Sequence, residues 1–178
     1  MSKAVFMDRD GVIVEDPGYV HKIEDFKIIP NAVDALKLLK NYKLVIVTNQ
    51  SGIGRGYYSL DDFNKFNNHL LNELKKHGIK IEKTYYCPHK PDDNCNCRKP
   101  KAKFLKNAEK DLKIEMKKSF SIGDRKSDYE FGKNAGCKTI HVLTGYGIQS
   151  KHEVKSDYFA EDLLDAARWI LKNDENDR

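Results

Sequence analysis

Short apolar runs alternate with amphipathic segments along most of the chain. The runs span residues 4–7, 44–47, 79–86, 119–122 and 139–143, and each has the length of a strand. Hydrophobic residues at helical spacing occupy residues 30–39, 59–78, 100–112, 127–135 and 160–171. Strands that alternate with helices predict βαβ units. We therefore expect an α/β fold: a three-layer, doubly wound, mostly parallel sheet with helices on both faces.

Local signals mark the ends of several predicted helices. Ser59, with Asp62 three residues later, predicts a capping box at the start of one helix. Gly78 and Gly136 stand where two helices are expected to stop. Pro100 is expected to begin another helix.

The predicted elements fill residues 1–172, which we interpret as a single domain, and residues 173–178 are expected to form a disordered tail. The stretch between Asp10 and Thr48 has room for a helix and a short loop but not for a large inserted cap domain. We therefore expect an open site that is covered by loops alone.

Composition narrows the functional classes only slightly. The 178 residues are 39% hydrophobic and 33% charged, which is polar but not disordered. The net charge of +5 is spread along the chain and does not by itself favour nucleic acid over an acidic small molecule. No apolar run approaches the roughly 20 residues that cross a bilayer, and no signal-peptide core follows the N-terminus. We expect a soluble, cytoplasmic monomer without a membrane or nucleic-acid partner.

Acidic residues follow two of the apolar runs directly. Asp8 and Asp10 come after the first run, and Asp124 follows the fourth, with Asp128 one helical turn later. Ligands of open α/β sheets bind at the carboxyl ends of the strands. Neighbouring carboxylates need a cation, a shared proton or solvent, and Mg²⁺ prefers such hard oxygen ligands. With the metal in place, one carboxylate can attack phosphorus while the other transfers a proton.

Other polar groups at this edge suit a phosphoryl group. Thr48 and the backbone N–H of Asn49 can hold a phosphate oxygen, and Lys99 or Arg98 can neutralise its charge. The alternative is that Asp-x-Asp-Gly is merely a turn and Gly-Asp merely a helix cap. Their joint placement after successive buried strands favours a catalytic site.

Four ordered segments, Asp8–Val12, Val47–Asn49, Cys97–Pro100 and Ile122–Asp128, resemble the motifs of the haloacid dehalogenase (HAD) superfamily. Over residues 3–170 the chain is similar to the branch that contains D,D-heptose 1,7-bisphosphate phosphatases and histidinol-phosphate phosphatases. Position 12 departs slightly, with Val where Thr is usual, and Arg125 stands where many heptose enzymes have Lys.

The resemblance implies a role for each catalytic residue. Asp8 would be the nucleophile that forms an aspartyl-phosphate, and Asp10 the general acid and base. Thr48 and Lys99 would steady the phosphoryl group. Mg²⁺ would be held by Asp8, the main-chain carbonyl of Asp10, and Asp124.

A cluster of cysteine and histidine predicts a second metal site, within residues 87–97. Cys87, His89, Cys95 and Cys97 supply three sulfur ligands and one nitrogen, a tetrahedral set suited to structural Zn²⁺. The alternative is a polar loop whose reduced cysteines simply pack. The resembling family carries the same type of zinc loop, and the metal would fix the segment that aims Arg98 and Lys99 at the substrate.

The resemblance also implies a substrate and its contacts. The segments 18–21 and 48–56 look closest to the heptose enzymes, which implies removal of the 7-phosphate from D-glycero-D-manno-heptose 1,7-bisphosphate. Arg55, in a glycine-rich loop expected to be flexible, is a candidate contact for a second anionic group. The other implied contacts are Asp16, Pro17, Gly18, Tyr19, Thr48, Asn49, Gln50, Ser51, Arg98, Lys99 and Arg125.

The sequence also permits other functions. The short zinc loop is shared with histidinol-phosphate phosphatases, so histidinol phosphate is the alternative substrate. The basic zinc loop also permits a nucleic-acid 3′-phosphatase or a zinc-containing nucleic-acid-binding module. The binding module alone would dispense with the aspartates.

Overall fold

A six-stranded parallel sheet forms the centre of the protein. A computed structural model of the chain describes residues 1–176. The strands lie in the order β3-β2-β1-β4-β5-β6, and every neighbouring pair is parallel. Their bounds are β1 (Ala4–Met7), β2 (Lys43–Asn49), β3 (Ile81–Cys87), β4 (Phe120–Gly123), β5 (Lys138–Val142) and β6 (Tyr158–Ala160).

Helices cover both faces of the sheet and bury two separate apolar clusters. The larger cluster joins one face of the sheet to three helices through side chains such as Leu36, Leu70 and Ile170. The smaller cluster joins the other face to two helices through Leu105 and Phe131. This is the predicted three-layer α/β fold. The helices are α1 (Ala32–Leu38), α2 (Ser51–Gly54), α3 (Leu60–Lys76), α4 (Lys103–Leu112), α5 (Lys126–Ala135), α6 (Gly147–Ser150) and α7 (Leu163–Asn176).

The central strand β1 explains why its sequence is apolar throughout. Ala4 and Phe6 point into the smaller cluster, and Val5 and Met7 point into the larger one. The chain moves from β1 outward through β2 to β3 and then returns to the other side of β1 as β4. The winding direction therefore changes between β1 and β4, which is where open α/β sheets bind ligands.

The predicted helix ends are partly confirmed. The Ser59 hydroxyl accepts a 3.1 Å hydrogen bond from the Asp62 N–H, and the Asp62 carboxylate accepts one of 2.8 Å from the Ser59 N–H. Gly136 ends α5 in the left-handed conformation with φ 76°. The start of α4 was predicted wrongly at Pro100: a turn closed by Lys101 N–H and Arg98 C=O at 2.9 Å comes first.

The C-terminal part also differs from expectation. Residues 158–160 form β6, so the last helix begins at Leu163 instead of Ala160. This helix continues to Asn176, so the tail expected from residue 173 is helical over residues 173–176. Asp174 is buried there and forms an ion pair with Lys3. Residues 177 and 178 lie outside the described part of the chain. Within residues 1–176, no helix combines the length and the apolar composition needed to cross a membrane.

Candidate active site

A polar cleft lies at the carboxyl ends of β1 and β2, close to the change in winding direction. Its volume is about 370 Å³. Most of the predicted site residues line it. They are Asp8, Asp10, Asp16, Gly18, Tyr19, Thr48, Asn49, Gln50, Ser51, Arg55, Arg98, Lys99 and Arg125.

Three carboxylates meet at the base of this cleft. Asp8 extends from β1, Asp124 follows β4, and Asp128 lies in the first turn of α5; one oxygen from each lies within 4.8 Å of the others. Burial raises the pKa of Asp8 to about 7, although Lys99 opposes the shift. Burial, together with Asp128 and Asp8, raises the pKa of Asp124 to about 8. Without positive charge beyond that of Lys99, the three carboxyl groups therefore resist full ionisation.

The Asp124 carboxylate has one oxygen held and one oxygen free. Oδ2 accepts a 2.8 Å hydrogen bond from the Tyr146 N–H. Oδ1 is buried and has no hydrogen-bond partner among residues 1–176. A divalent cation would satisfy this oxygen and offset the repulsion between the carboxylates. Asp8 and Asp124 therefore fit the magnesium site expected from the sequence.

Lys99 pairs with two of these carboxylates and neutralises part of their charge. Its ammonium group donates to Asp128 Oδ1 at 2.6 Å and to the Val47 carbonyl at 2.7 Å, and lies 3.2 Å from Asp8 Oδ1. Burial opposes the charge, but Asp128 and Asp8 hold the pKa of Lys99 above its ordinary value. The Asn49 side chain accepts from the Lys99 N–H at 3.0 Å and donates to its carbonyl at 3.3 Å. Asn49, the last residue of β2, thus holds the backbone of Lys99 in place.

The Asp10 side chain turns towards a buried arginine. Arg9 is fully buried between the rings of Phe63 and Phe66, with its guanidinium carbon 5.3 and 4.7 Å from the ring centroids. It donates to the two Asp10 oxygens at 2.7 and 3.1 Å. Gln50 adds a third bond of 2.8 Å. These three donors therefore hold the Asp10 side chain in one orientation.

The Gln50 side chain is fully engaged within the protein. Its amide nitrogen donates to Asp10 and also to Thr48 Oγ1 at 2.8 Å. Its amide oxygen accepts from the Tyr58 hydroxyl at 2.6 Å. Burial raises the pKa of Tyr58 far above its ordinary value, so this hydroxyl remains a donor. Gln50 lines the cleft, where its expected contact with substrate stays a prediction, and its side chain orients two predicted catalytic residues.

Arg125 and Asp16 form one rim of the cleft. The Arg125 guanidinium lies 3.4 Å from Asp16 Oδ2, and its carbon lies 3.8 Å from the centroid of the Tyr146 ring. Asp16 Oδ1 accepts a 3.0 Å bond from the Gly18 N–H, which makes a tight turn. Pro17 lies in this turn and is exposed, but it is not among the described residues that line the cleft, so its expected contact with substrate stays a prediction.

The predicted zinc ligands come together next to the cleft. Four sulfur–sulfur and sulfur–nitrogen distances among Cys87, His89, Cys95 and Cys97 lie between 3.3 and 3.6 Å. Tetrahedral zinc with Zn–S bonds of about 2.3 Å would separate its ligands by about 3.8 Å. Burial opposes ionisation of Cys95, but the N–H groups of Cys97 and Arg98 lower its pKa to about 6. The donor set and spacing fit a zinc ion.

The glycine-rich segment is packed against this cysteine loop. The Gly54 N–H donates to the Pro88 carbonyl at 2.8 Å, and the Gln50 N–H donates to the Cys87 carbonyl at 2.7 Å. A Cβ at Gly54 would lie 2.7 Å from the Pro88 oxygen, and one at Gly52 would lie 2.1 Å from the Tyr58 ring. These contacts show that Gly52 and Gly54 permit close packing, while the expected flexibility of the loop stays a prediction.

The sequence did not single out several residues of the site. Tyr58, Ser127 and Tyr146 also line the cleft, and Arg9 supports it from below. Arg9 lies between two predicted acids, a position that signals a charge partner. Tyr146 has no comparable local signal, because its contacts with Asp124 and Arg125 connect parts of the chain that are distant in sequence.

Comparisons with known proteins show which family this chain resembles. The sequence model of a family described as HAD-hydrolase-like matches residues 96–166. A Haemophilus influenzae protein named D-glycero-beta-D-manno-heptose-1,7-bisphosphate 7-phosphatase is 41% identical over 97% of this chain and 98% of its own length. A Campylobacter jejuni protein with the corresponding alpha name is 48% identical over 90% of each chain.

A solved structure is similar over nearly the whole fold. The D,D-heptose 1,7-bisphosphate phosphatase from B. bronchiseptica superposes with a TM-score of 0.89 and is 27% identical in sequence. The match covers 96% of this chain and 99% of that protein, which was crystallised with magnesium and phosphate.

Proposed function

The chain belongs to the HAD-like hydrolase family and is a phosphoric monoester hydrolase; from that premise we propose that it removes the 7-phosphate from D-glycero-D-manno-heptose 1,7-bisphosphate. The observation that carries the proposal is the convergence of Asp8, Asp124 and Lys99 at one end of the sheet, in a chain so similar to enzymes named for this reaction.

The buried carboxylates support a magnesium-dependent reaction. Asp8, the main-chain carbonyl of Asp10, and Asp124 would hold Mg²⁺, which would supply positive charge to the phosphoryl oxygens. Asp124 Oδ1 is a buried oxygen available for this purpose. The raised pKa values of Asp8 and Asp124 have the same main cause, because both carboxylates are buried, and the nearby Asp128 raises both further.

In the proposed reaction, Asp8 displaces the sugar from phosphorus. A carboxylate oxygen of Asp8 forms a bond to phosphorus, the bond between phosphorus and the sugar oxygen breaks, and Asp10 protonates that oxygen. Water then attacks the aspartyl-phosphate and gives its proton to Asp10, which releases phosphate and restores Asp8. Lys99, 3.2 Å from Asp8 Oδ1, would stabilise negative charge on the phosphoryl group, and Thr48 would hold one of its oxygens.

The cationic rim supports a substrate with two phosphates. Arg55, Arg98 and Arg125 line the same cleft as Asp8. Lys99 is already committed to the reacting centre, so these guanidinium groups are available to a second anion. The relatives carry both alpha and beta anomers in their names, so the proposal covers the bisphosphate of either anomer.

The cysteine cluster supports a structural zinc ion. Three thiols and one imidazole would fill a tetrahedral site and leave no position for reacting water. The close thiols also suit a reducing compartment, so we propose the cytoplasm. Zinc would order the loop that leads directly into Arg98 and Lys99.

Phosphate release from a panel of phosphorylated compounds, with Mg²⁺ present, tests the proposal. The panel contains both heptose 1,7-bisphosphate anomers, histidinol phosphate and a 3′-phosphorylated oligonucleotide. We expect kcat/KM to be highest for a heptose bisphosphate. Asp8→Asn should reduce kcat by at least about 10⁴-fold, in the range lost when a covalent nucleophile is removed. The exposed Asp34→Asn is the control and should match the parent.

Preference for histidinol phosphate would overturn the sugar assignment while leaving the phosphatase chemistry intact. Preference for the oligonucleotide would instead indicate a 3′-phosphatase. Undiminished phosphate release by Asp8→Asn would contradict the proposed nucleophile.

A further inference from the structure

We propose that the segment Thr144–Ser150, named here the brace segment, positions Asp124 for its cation, with Thr144 and Ser150 as positioning residues. This inference rests on the proposed magnesium-dependent function and deepens it. The segment follows β5 and includes α6, and Thr144, Tyr146 and Ser150 each make a hydrogen bond to the residues around the carboxylate cluster.

Hydrogen bonds from the brace segment reach both sides of the metal site. The Tyr146 N–H donates to Asp124 Oδ2 at 2.8 Å, and the Ser150 hydroxyl donates to the Asp124 carbonyl at 2.6 Å. The Thr144 hydroxyl donates to the Gly11 carbonyl at 2.6 Å. Gly11 directly follows Asp10 in the turn after β1. The segment therefore links the two strand ends that carry the proposed magnesium ligands.

These bonds determine which oxygen of Asp124 is available. Because Oδ2 is held by an N–H group, the carboxylate cannot rotate freely, and the buried Oδ1 is left without a partner in the described part of the chain. A cation would therefore bind Asp124 through one oxygen. Supporting contacts of this kind orient metal ligands and commonly affect metal affinity.

The segment must approach Asp124 through glycine backbone. A Cβ at Gly11 or at Gly145 would lie 2.3 Å from Asp124 Oδ2, so a larger residue at either position would displace the carboxylate. Gly11 has φ 84° and Gly145 has φ 56°, values that favour glycine. Both turns are thus shaped around the Asp124 carboxylate.

The brace segment is itself anchored to the sheet. The Leu143 N–H donates to the Ala160 carbonyl of β6 at 2.9 Å. The buried His141 of β5 contacts the Gly147 carbonyl through Nε2 at 2.8 Å, and because a carbonyl only accepts, Nε2 carries the hydrogen. The Gly147 backbone packs against Val142 so closely that a Cβ would lie 1.8 Å from its carbonyl oxygen. The bonds to Asp124 thus originate from a firmly held segment.

Tyr146 has two contacts that can be separated experimentally. Its N–H binds Asp124, whereas its ring supports the Arg125 guanidinium at 3.8 Å. Replacing the side chain removes the ring but keeps the N–H. Tyr146→Ala should therefore raise KM for the bisphosphate through Arg125, while the protein keeps the parental affinity for Mg²⁺.

The experiment measures Mg²⁺ binding to the full chain by isothermal titration calorimetry without substrate. Thr144→Val and Ser150→Ala should each weaken binding by about 10-fold or more, the lower end of effects seen at residues supporting metal ligands. Thr144→Ser keeps the hydroxyl and should restore the parental affinity. Thr139→Val is the control: it makes the same substitution at a buried threonine away from the site, whose hydroxyl is bonded to Asp157 at 2.9 Å, and should change only the melting temperature.

Parental Mg²⁺ affinity in Thr144→Val and Ser150→Ala, together with a lower melting temperature, would overturn the inference and leave a purely structural role. If Ser150→Ala does not fold, the comparison of Thr144→Val with Thr144→Ser decides instead. Thr144 is only half-buried, so we expect both of these variants to fold. A parent protein that does not bind Mg²⁺ would instead contradict the proposed function. The two failures are therefore distinguishable.

Discussion

The ammonium group of Lys99 donates a 2.6 Å hydrogen bond to Asp128 Oδ1 in the buried centre of the site. Asp128 also accepts a 3.0 Å bond from the Arg125 N–H through its second oxygen. This carboxylate is therefore committed to the protein, and it holds Lys99 where the ammonium group can also reach Asp8.

Asp128→Asn should reduce both stability and turnover. The change removes a buried charge partner and leaves the Lys99 ammonium poorly compensated, which costs about 3–5 kcal/mol in comparable buried pairs. We also expect kcat to fall by about 10²-fold because Lys99 is no longer held next to Asp8. Urea denaturation and steady-state kinetics measure the two effects.

Glu130→Gln is the control for Asp128. It removes a partly exposed carboxylate of the same helix, 3.8 Å from the exposed Lys126 ammonium, and should change stability by less than about 1 kcal/mol. If Glu130→Gln and Asp128→Asn lost the same amount of stability and kcat, the proposed role of Asp128 would be refuted.

The stability of the magnesium-free protein should fall as the pH rises from about 4 to about 8. The pKa values of Asp8 and Asp124 are raised from 3.8 to about 7 and about 8 in the folded state. Between these limits the folded protein binds more protons than the unfolded chain, so raising the pH favours unfolding. Mg²⁺ stabilises the ionised carboxylates and should reduce this loss.

Urea denaturation of the zinc-loaded protein over this pH range, with and without Mg²⁺, tests the expectation. Asp124→Asn cannot ionise at position 124 and should show a weaker dependence on pH. A magnesium-free stability that instead rises across the range would show that the carboxylates are stabilised without a cation.

Tyr58→Phe should lower kcat with little change in KM. The variant loses the hydroxyl that fixes the Gln50 amide oxygen, so the amide can turn and present that oxygen to Asp10. A hydrogen bond of this type contributes roughly 1 kcal/mol, which corresponds to about a fivefold decrease in kcat. Steady-state kinetics on the bisphosphate measures it.

Tyr57→Phe provides the comparison, because Tyr57 is 57% exposed and its ring contacts Tyr19 at the rim. It should retain the parental kcat. A Tyr58→Phe variant with parental kcat and KM would show that Gln50 is held adequately by Asp10 and Thr48.

Removing zinc should destabilise the protein and raise KM. The cysteine loop carries Arg98 and Lys99 and contacts the segment after β2, so its disorder would disturb both sides of the cleft. Cys95→Ser should lose bound zinc as measured by elemental analysis. Cys137→Ala removes a buried thiol outside the cluster and should retain it. Zinc retained in Cys95→Ser at the parental level would contradict the assigned ligand set.

The central strands and the acidic strand ends could be predicted from sequence because their signals are local. Residues 4–7 are apolar on both faces since both faces are buried, and the polar residues begin where the strand ends. In contrast, β6 has three residues, which is too short for a clear periodicity. Because β6 was not predicted, the last helix was expected to start at Ala160 instead of Leu163.

The main parts of the site that sequence did not reveal depend on contacts between distant segments. Tyr146 and Asp124 are 22 positions apart, and their bond uses a backbone N–H that any residue except proline supplies. The role of Gln50 likewise depends on Tyr58 and Asp10, which are brought together by the fold. The chemical groups of the site can be identified from the sequence. Their hydrogen-bond partners cannot, because these depend on how the ends of three strands pack together.

Detection of a phosphoryl group on Asp8 tests the central claim most directly. Parent and Asp8→Asn proteins are quenched in acid during turnover of the bisphosphate with Mg²⁺, and their peptides are analysed by mass spectrometry. The proposed mechanism predicts a phosphorylated peptide containing Asp8 in the parent, and neither this peptide nor phosphate release in the variant. Phosphorylation of a different residue, or phosphate release by Asp8→Asn at the parental rate, would contradict it.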